Sequence, residues 1–237
     1  MKNMKINFKK LLLICYIFVT ILLYVLSLFI KLNIETKILY FTFILFNFIS
    51  SVLLLIINKN KNNLLLTIAF FFTVIADLFL VLLQGNESLL YNKEIAMTSF
   101  IFVQSSYYYF IFRNKDNNKK LITDFLRFIL IGIVILICVL IFKSSIDFLL
   151  ITVCIYSVML IFNIIDSIIY NKNGLFISGL ILFMLCDICV GLTNASGYLN
   201  IPEYIINIIT GRIDLVWLFY IPSQVLIFLS FVRRKGE

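Results

Sequence analysis

The chain has 237 residues, of which 62% are hydrophobic and 14% charged, and its mean hydropathy is +1.08. Because soluble domains carry about 45–50% apolar and about 25% charged residues, this composition predicts an integral membrane protein. A transmembrane helix needs about 20 apolar residues, so seven or eight helices would use almost the whole chain and exclude a soluble catalytic domain. We interpret the net charge of +8 as cations that orient these helices, not as a nucleic-acid surface.

Eight apolar segments, each long enough to cross a bilayer as a helix, are separated by short polar stretches. The sequence therefore predicts an all-α integral membrane protein, a single polytopic domain over residues 1–237 that forms a bundle of about eight transmembrane helices. The first four and the last four spans would share one orientation, which is compatible with two parallel four-helix halves. The predicted spans are 11–30, 38–57, 64–83, 95–112, 125–142, 146–168, 174–192 and 214–232.

The distribution of positive charge predicts the orientation of the spans. With the N-terminus inside, 15 of the 20 lysines and arginines, Arg127 among them, fall on the cytoplasmic side. Because such an excess marks the cytoplasmic loops, we expect a plasma-membrane protein with both termini in the cytoplasm. The longest outer connection, residues 193–213, contains an apolar stretch at 201–209 that suits a short interfacial helix. This stretch is either a packed loop or a lid over a cavity entrance.

Two aspartates lie deep inside predicted spans, Asp77 in the third and Asp187 in the seventh. Each is 13 residues from the start of its span, which at about 1.5 Å per residue places both roughly 20 Å along their helices. A carboxylate at the centre of a membrane helix costs on the order of 3 kcal/mol or more, so such residues usually face the bundle interior and mark function. We therefore expect one functional layer that contains both carboxyl groups.

Further polar and aromatic residues are expected in the same layer. Gln104 in the fourth span and Gln224 in the eighth lie at a comparable depth. Pro222 removes a helical hydrogen bond in the eighth span, so we expect a bend and a cavity there. The remaining candidates share a helical face with Asp77, Gln104 or Gln224; they are Thr73, Tyr107, Tyr108, Trp217 and Tyr220.

The residues alone allow three interpretations of the aspartates. They are a structural pair that fixes helix register, a general acid and base, or the proton relay of a transporter. Cys186 and Cys189 have the Cys-x-x-Cys spacing of metal and redox sites, but the sequence has neither histidine nor a second such pair. We therefore predict no metal and no cofactor.

This layout resembles the YhhN-type lysoplasmalogenase family of eight-span membrane proteins. The matching positions are Ala76 with Asp77, Phe100 with Gln104 and Tyr107, Cys186 with Asp187, and Tyr220 with Gln224. Two of them depart from the family pattern, because Ala76 replaces a glycine and Gln104 replaces a histidine. Since a glutamine cannot shuttle protons, Gln104 would position groups and not transfer protons.

The resemblance implies hydrolysis of the vinyl ether bond of lysoplasmalogens, which gives a fatty aldehyde and a glycerophospho-amine alcohol. Vinyl ethers hydrolyse when an acid protonates the alkene carbon and water captures the resulting oxocarbenium ion. Asp77 and Asp187 are the expected catalytic residues, in either assignment of acid and stabilising carboxylate. The expected partner is a membrane lipid or lysolipid, and the alternatives are a proton-coupled or lipid transporter and a non-catalytic lipid-binding or structural protein. The expected substrate-binding residues are Gln104, Tyr107, Tyr220, Gln224, Thr73 and Trp217.

Overall fold

The computed structural model describes residues 2–29, 34–83, 91–113, 117–142, 147–195, 201–211 and 214–232. Within these ranges the chain is almost entirely helical and contains no β-strand. A π-helical turn, Leu78–Leu82, directly continues α3. The helices are α1 (Lys2–Phe29), α2 (Ile34–Ile57), α3 (Lys61–Asp77), α4 (Asn92–Phe112), α5 (Asn117–Phe142), α6 (Phe148–Ile169), α7 (Gly174–Ala195), α8 (Glu203–Ile209) and α9 (Leu215–Val232).

Seven of the described helices are long and apolar enough to cross a membrane, namely α2 to α7 and α9. The apolar part of α1 within the described residues, Lys10–Leu26, is shorter. The predicted all-α bundle of about eight helices is confirmed, and the chain is a multi-pass membrane protein. Several cations that entered the predicted orientation, among them Lys31, Lys143 and Arg212, lie outside the described residues.

Short polar side chains determine where several helices begin. The Asn60 side chain accepts a hydrogen bond from the Asn63 N–H (2.7 Å), and Asp147 accepts one from the Leu150 N–H (2.7 Å). Such N-caps satisfy backbone donors that have no partner within the helix. The predicted short helix near 201–209 is present as α8, which follows Pro202 and packs against α7 and α9. Its role as a lid stays a prediction.

The two halves of the chain repeat one packing pattern. In the first half α1 packs on α2, α2 on α3 and α3 on α4; in the second, α5 packs on α6, α6 on α7 and α7 on α9. The halves meet where α4 packs on α6 and where α2 packs on α9. The helices α2, α3, α4, α6, α7 and α9 therefore form a closed ring, and α1 and α5 lie outside it. This pattern agrees with the two four-helix halves expected from the sequence.

At Gly179 the backbone of α7 comes close to α9. A Cβ atom at this position would lie 2.7 Å from Ile227 Cγ1 and 3.0 Å from the Ser223 carbonyl oxygen, both in α9. Small residues at membrane helix interfaces allow such close backbone approach. Pro222 also lies in this region of α9, which stays helical from Leu215 to Val232. The bend and cavity expected at Pro222 stay predictions.

Candidate active site

Asp77 lies at the point where α3 changes from α-helical to π-helical geometry. Its side chain is buried, and Tyr220 Oη of α9 donates a hydrogen bond to Asp77 Oδ2 at 2.6 Å. π-Helical turns inside helices are frequent at functional sites because they alter the direction of side chains. The helices α3 and α9 are thus joined through the Asp77 carboxyl group.

Asp187 has a similar partner on another helix. Tyr156 Oη of α6 donates a hydrogen bond to Asp187 Oδ2 at 2.5 Å. Tyr156 is not among the residues that the sequence analysis expects in this layer. The site therefore contains two aspartate–tyrosine pairs.

A continuous row of aromatic rings connects these two pairs. The Tyr156 ring lies 5.5 Å from that of Phe100, which lies 5.8 Å from the ring of Phe183. Phe183 in turn lies 5.5 Å from Tyr220. Tilted and edge-to-face contacts at these distances are favourable. The row brings α4, α6, α7 and α9 together around the carboxyl groups and gives the site apolar walls.

Gln104 of α4 and Gln224 of α9 lie at matching depths. Phe110 of α4 and Phe231 of α9 are in ring contact, with centroids 4.4 Å apart. Gln104 precedes Phe110 by six residues and Gln224 precedes Phe231 by seven, so both lie about 10 Å along their helices from this contact. Both glutamines are fully buried, as expected for members of one polar layer.

Three buried polar groups of the layer have no hydrogen-bond partner among the residues that the structure describes. They are Gln104 Nε2, Tyr107 Oη and Gln224 Oε1. Buried polar groups in folded proteins are nearly always hydrogen-bonded. Together they offer one amide donor, one amide acceptor and one hydroxyl group, a set that suits hydroxyl groups, ether oxygens and water.

Two of the predicted substrate-binding residues have other contacts. Thr73 Oγ1 donates to the Ala69 carbonyl within its own helix (3.0 Å). The Trp217 ring stacks on Tyr40 at 3.8 Å and also contacts Tyr220 edge-on at 5.3 Å. Trp217 therefore borders the site through Tyr220, whereas the Thr73 hydroxyl is used inside α3.

Tyr108 is directed away from the aspartate pairs. Its hydroxyl donates to the Asp124 carboxyl group of α5, at 2.7 and 2.9 Å from the two oxygens. Tyr107 and Tyr108, both expected beside Gln104, therefore point in different directions. The Tyr107 ring packs edge-on against Phe176 of α7 (5.6 Å), while Tyr108 serves the contact between α4 and α5.

Sequence reasoning missed a second polar network, centred on Arg127. The sequence analysis places Arg127 among the cytoplasmic charges. In the structure its side chain is buried between α5 and α6, where Nη2 lies 2.6 Å from Asp166 Oδ2. The same nitrogen donates to Asn163 Oδ1 at 3.2 Å. Asn163 Nδ2 donates to Gln104 Oε1 at 2.9 Å. An ion pair beside α4 is thus connected to the glutamine layer.

Another carboxyl group, that of Asp214, lies just before α9 and outside the membrane-spanning segment. Its Oδ1 accepts a hydrogen bond from the Val216 N–H at 2.9 Å. Burial raises the pKa of Asp214, and the hydrogen bonds from the backbone of Val216 and Trp217 oppose this shift. We interpret Asp214 as the N-cap that fixes the start of α9, the helix that carries Tyr220 and Gln224.

The model of the YhhN family matches residues 37–231, which is most of the chain. No curated protein and no solved structure matches the chain. The matched range includes both aspartates and the tyrosines that donate to them.

Proposed function

The chain belongs to the YhhN family, and on this basis we propose that it is a membrane-embedded hydrolase of the lysoplasmalogenase type. Its substrate would be a lysoplasmalogen, and the bond cleaved would be the vinyl ether. The observation that carries this proposal is the pair of aspartates, each hydrogen-bonded to a tyrosine from another helix and linked by one row of aromatic rings. Ionisable residues inside a membrane bundle are by default candidates for function.

The proposed reaction uses two carboxyl groups in different roles. One aspartic acid, in its protonated form, transfers its proton to the alkene carbon that is not bonded to oxygen. The oxocarbenium ion that forms is stabilised by the second, ionised carboxylate. Water adds to the cationic carbon and loses a proton to a carboxylate, and the hemiacetal then collapses to a fatty aldehyde and a free glycerol hydroxyl group. One water molecule is consumed, and the catalytic proton is returned.

The surrounding residues would orient the substrate. Gln104, Gln224 and Tyr107 offer the donor, acceptor and hydroxyl group that suit glycerol oxygens and the attacking water. Tyr156 and Tyr220 hold the two carboxyl groups in place. The aromatic walls suit the apolar chain of a lysolipid.

We also propose that the protein lies in the plasma membrane with both termini in the cytoplasm. The carboxyl layer would then lie about 10 Å below the outer face, since α7 runs outward and Asp187 is 13 residues from its start. A lysolipid aligned with the bundle has its linkage slightly deeper than its headgroup, so this depth suits a lysoplasmalogen as the membrane-lipid partner.

The test is aldehyde release from lysoplasmalogen by the purified protein in detergent. We expect release above that of a detergent blank, and no release from the 1-O-alkyl analogue, which has no alkene carbon to protonate. Failure of a folded, monodisperse sample to release aldehyde would contradict the proposal.

A transporter is the second candidate, favoured by the repeated packing of the two halves. Parallel repeats of this kind occur in secondary transporters, and the same carboxyl groups would then form a proton relay. Lipid or proton movement across proteoliposomes without chemical change of the lipid would favour this alternative over hydrolysis.

A further inference from the structure

The network from Arg127 to Gln104 determines the orientation of two amide groups. Arg127 is a donor without any acceptor atom, so the side-chain atom of Asn163 that faces it must be the oxygen. On the other side, Asn163 Nδ2 donates to the Gln104 backbone carbonyl at 2.9 Å, and that carbonyl accepts hydrogen bonds but cannot donate them. Both neighbours therefore require the same orientation of the Asn163 amide.

The orientation of Asn163 then fixes that of Gln104. Asn163 Nδ2 also donates to Gln104 Oε1 (2.9 Å), so the oxygen of Gln104 faces α6 and its nitrogen faces the other way. Gln104 is fully buried, and Nε2 has no partner among the described residues. The two neighbours on its helical face are Phe100, which contacts Tyr156, and Tyr107, which packs on α7. Gln104 Nε2 is thus a buried donor without a partner among the described residues, one helical turn from Phe100 of the aromatic row.

We propose that Asp166, Arg127 and Asn163 form a positioning relay that holds Gln104 Nε2 in the site as a hydrogen-bond donor to a lysolipid oxygen. The relay starts at an ion pair whose two side chains are both buried. Reversal of the Asn163 amide would break its charge-assisted hydrogen bond from Arg127. Reversal of the Gln104 amide would place its N–H groups against those of Asn163. Asn163 and Arg127 are positioning residues, because they act through Gln104. The inference rests on the proposed function in one respect, the choice of a lysolipid as the ligand.

The relay gives the site a defined polarity. A glutamine amide that is free to rotate can offer either a donor or an acceptor, whereas the held amide offers only N–H groups. An ether or hydroxyl oxygen of the glycerol backbone accepts such a bond. A buried donor that meets no acceptor in a wrong ligand carries an energetic penalty, and sites of this kind select strongly for the matching oxygen.

The test measures binding and does not depend on hydrolysis. The ligand is a 1-O-alkyl lysophosphoethanolamine, which keeps the glycerol oxygens but has no vinyl ether. Trp217, the single tryptophan of the chain, contacts Tyr220 of the site, so its fluorescence reports the Kd. The Asn163→Asp variant keeps an acceptor for Arg127 but presents no N–H group to Gln104. The Gln104 amide can then rotate and donate its own N–H to the new carboxylate, which removes the donor from the site. We expect Kd to rise about tenfold, the value of one hydrogen bond.

Two controls separate positioning from a general effect on the fold. Asn47 is also fully buried and accepts a hydrogen bond from Tyr16, but in α2 and outside this relay, so Asn47→Asp should leave Kd unchanged. In a Gln104→Leu background, Asn163→Asp should have no further effect on Kd, because the group on which it acts is gone. If Asn163→Asp does not fold, Asn163→Ala gives the same comparison with a smaller expected rise.

Three results would overturn the relay. They are unchanged Kd in the folded Asn163 variant, an equal effect of that variant in the Gln104→Leu background, and a wild-type protein that does not bind the alkyl lysolipid. Failure of the proposed hydrolysis is distinguishable from these, since it would appear as ligand binding without aldehyde release.

Discussion

The Asp77→Asn and Asp187→Asn variants are each expected to release aldehyde from lysoplasmalogen about 10² to 10⁴ times more slowly than the wild type. Asparagine keeps the shape of the side chain and can still accept a hydrogen bond from Tyr220 or Tyr156. It can neither transfer a proton to the alkene carbon nor carry the charge that stabilises the cation. The measurement is kcat with saturating lysoplasmalogen in detergent micelles.

Asp124→Asn provides the matched control for these variants. Asp124 accepts a hydrogen bond from a tyrosine, as both candidates do, but it lies in α5 beside Tyr108. Its replacement should leave kcat within a few-fold of the wild-type value. Retention of more than a tenth of the wild-type rate by either site variant would contradict the assigned chemistry. Collapse of the fold in both would favour the structural pair as the role of the aspartates.

Replacing Arg127 by Leu is expected to lower the free energy of unfolding by about 3 to 5 kcal/mol. The change leaves Asp166 buried without its cation and removes the donor to Asn163. Among the side chains described for α5, residues 120–141, Arg127 is the single buried one, so the attachment of this helix depends strongly on it. Chemical denaturation in mixed micelles, followed by far-UV circular dichroism, measures the loss.

The Arg127→Leu/Asp166→Leu double variant separates the loss of the pair from the presence of an unpaired charge. Replacing a whole buried ion pair by apolar residues is often nearly neutral, so this variant should recover most of the lost stability. A single Arg127 variant as stable as the wild type would show that the ion pair does not hold α5.

The spans and the depth of the aspartates could be predicted from sequence because both depend only on the order and spacing of residues along the chain. Apolar runs of about 20 residues define the spans, and a rise of about 1.5 Å per residue converts position into depth. Asp77 and Asp187 stood out because charge is rare inside such runs. The same reasoning found Gln104 and Gln224, whose matching depths agree with the Phe110–Phe231 contact.

The partners of these residues could not be predicted in the same way. Tyr156 and Tyr220 are amphipathic residues whose role depends on which helices are neighbours, and the contact between α6 and α7 is not encoded in either span alone. Arg127 lies near the end of a predicted span, where a cation is normally a topology signal. Its burial depends on the ion pair with Asp166 on another helix. This ion pair forms only when α5 and α6 pack together.

Aldehyde release in D₂O tests the central claim, protonation of the vinyl ether by a buried carboxyl group, most directly. Because the proton goes to carbon, the account predicts that the aldehyde, trapped by reduction, carries one deuterium on the carbon next to the former carbonyl group. Aldehyde incubated with the protein and reduced in the same way should carry none. Release of aldehyde without deuterium at that carbon, or no release by the folded wild-type protein, would contradict the account.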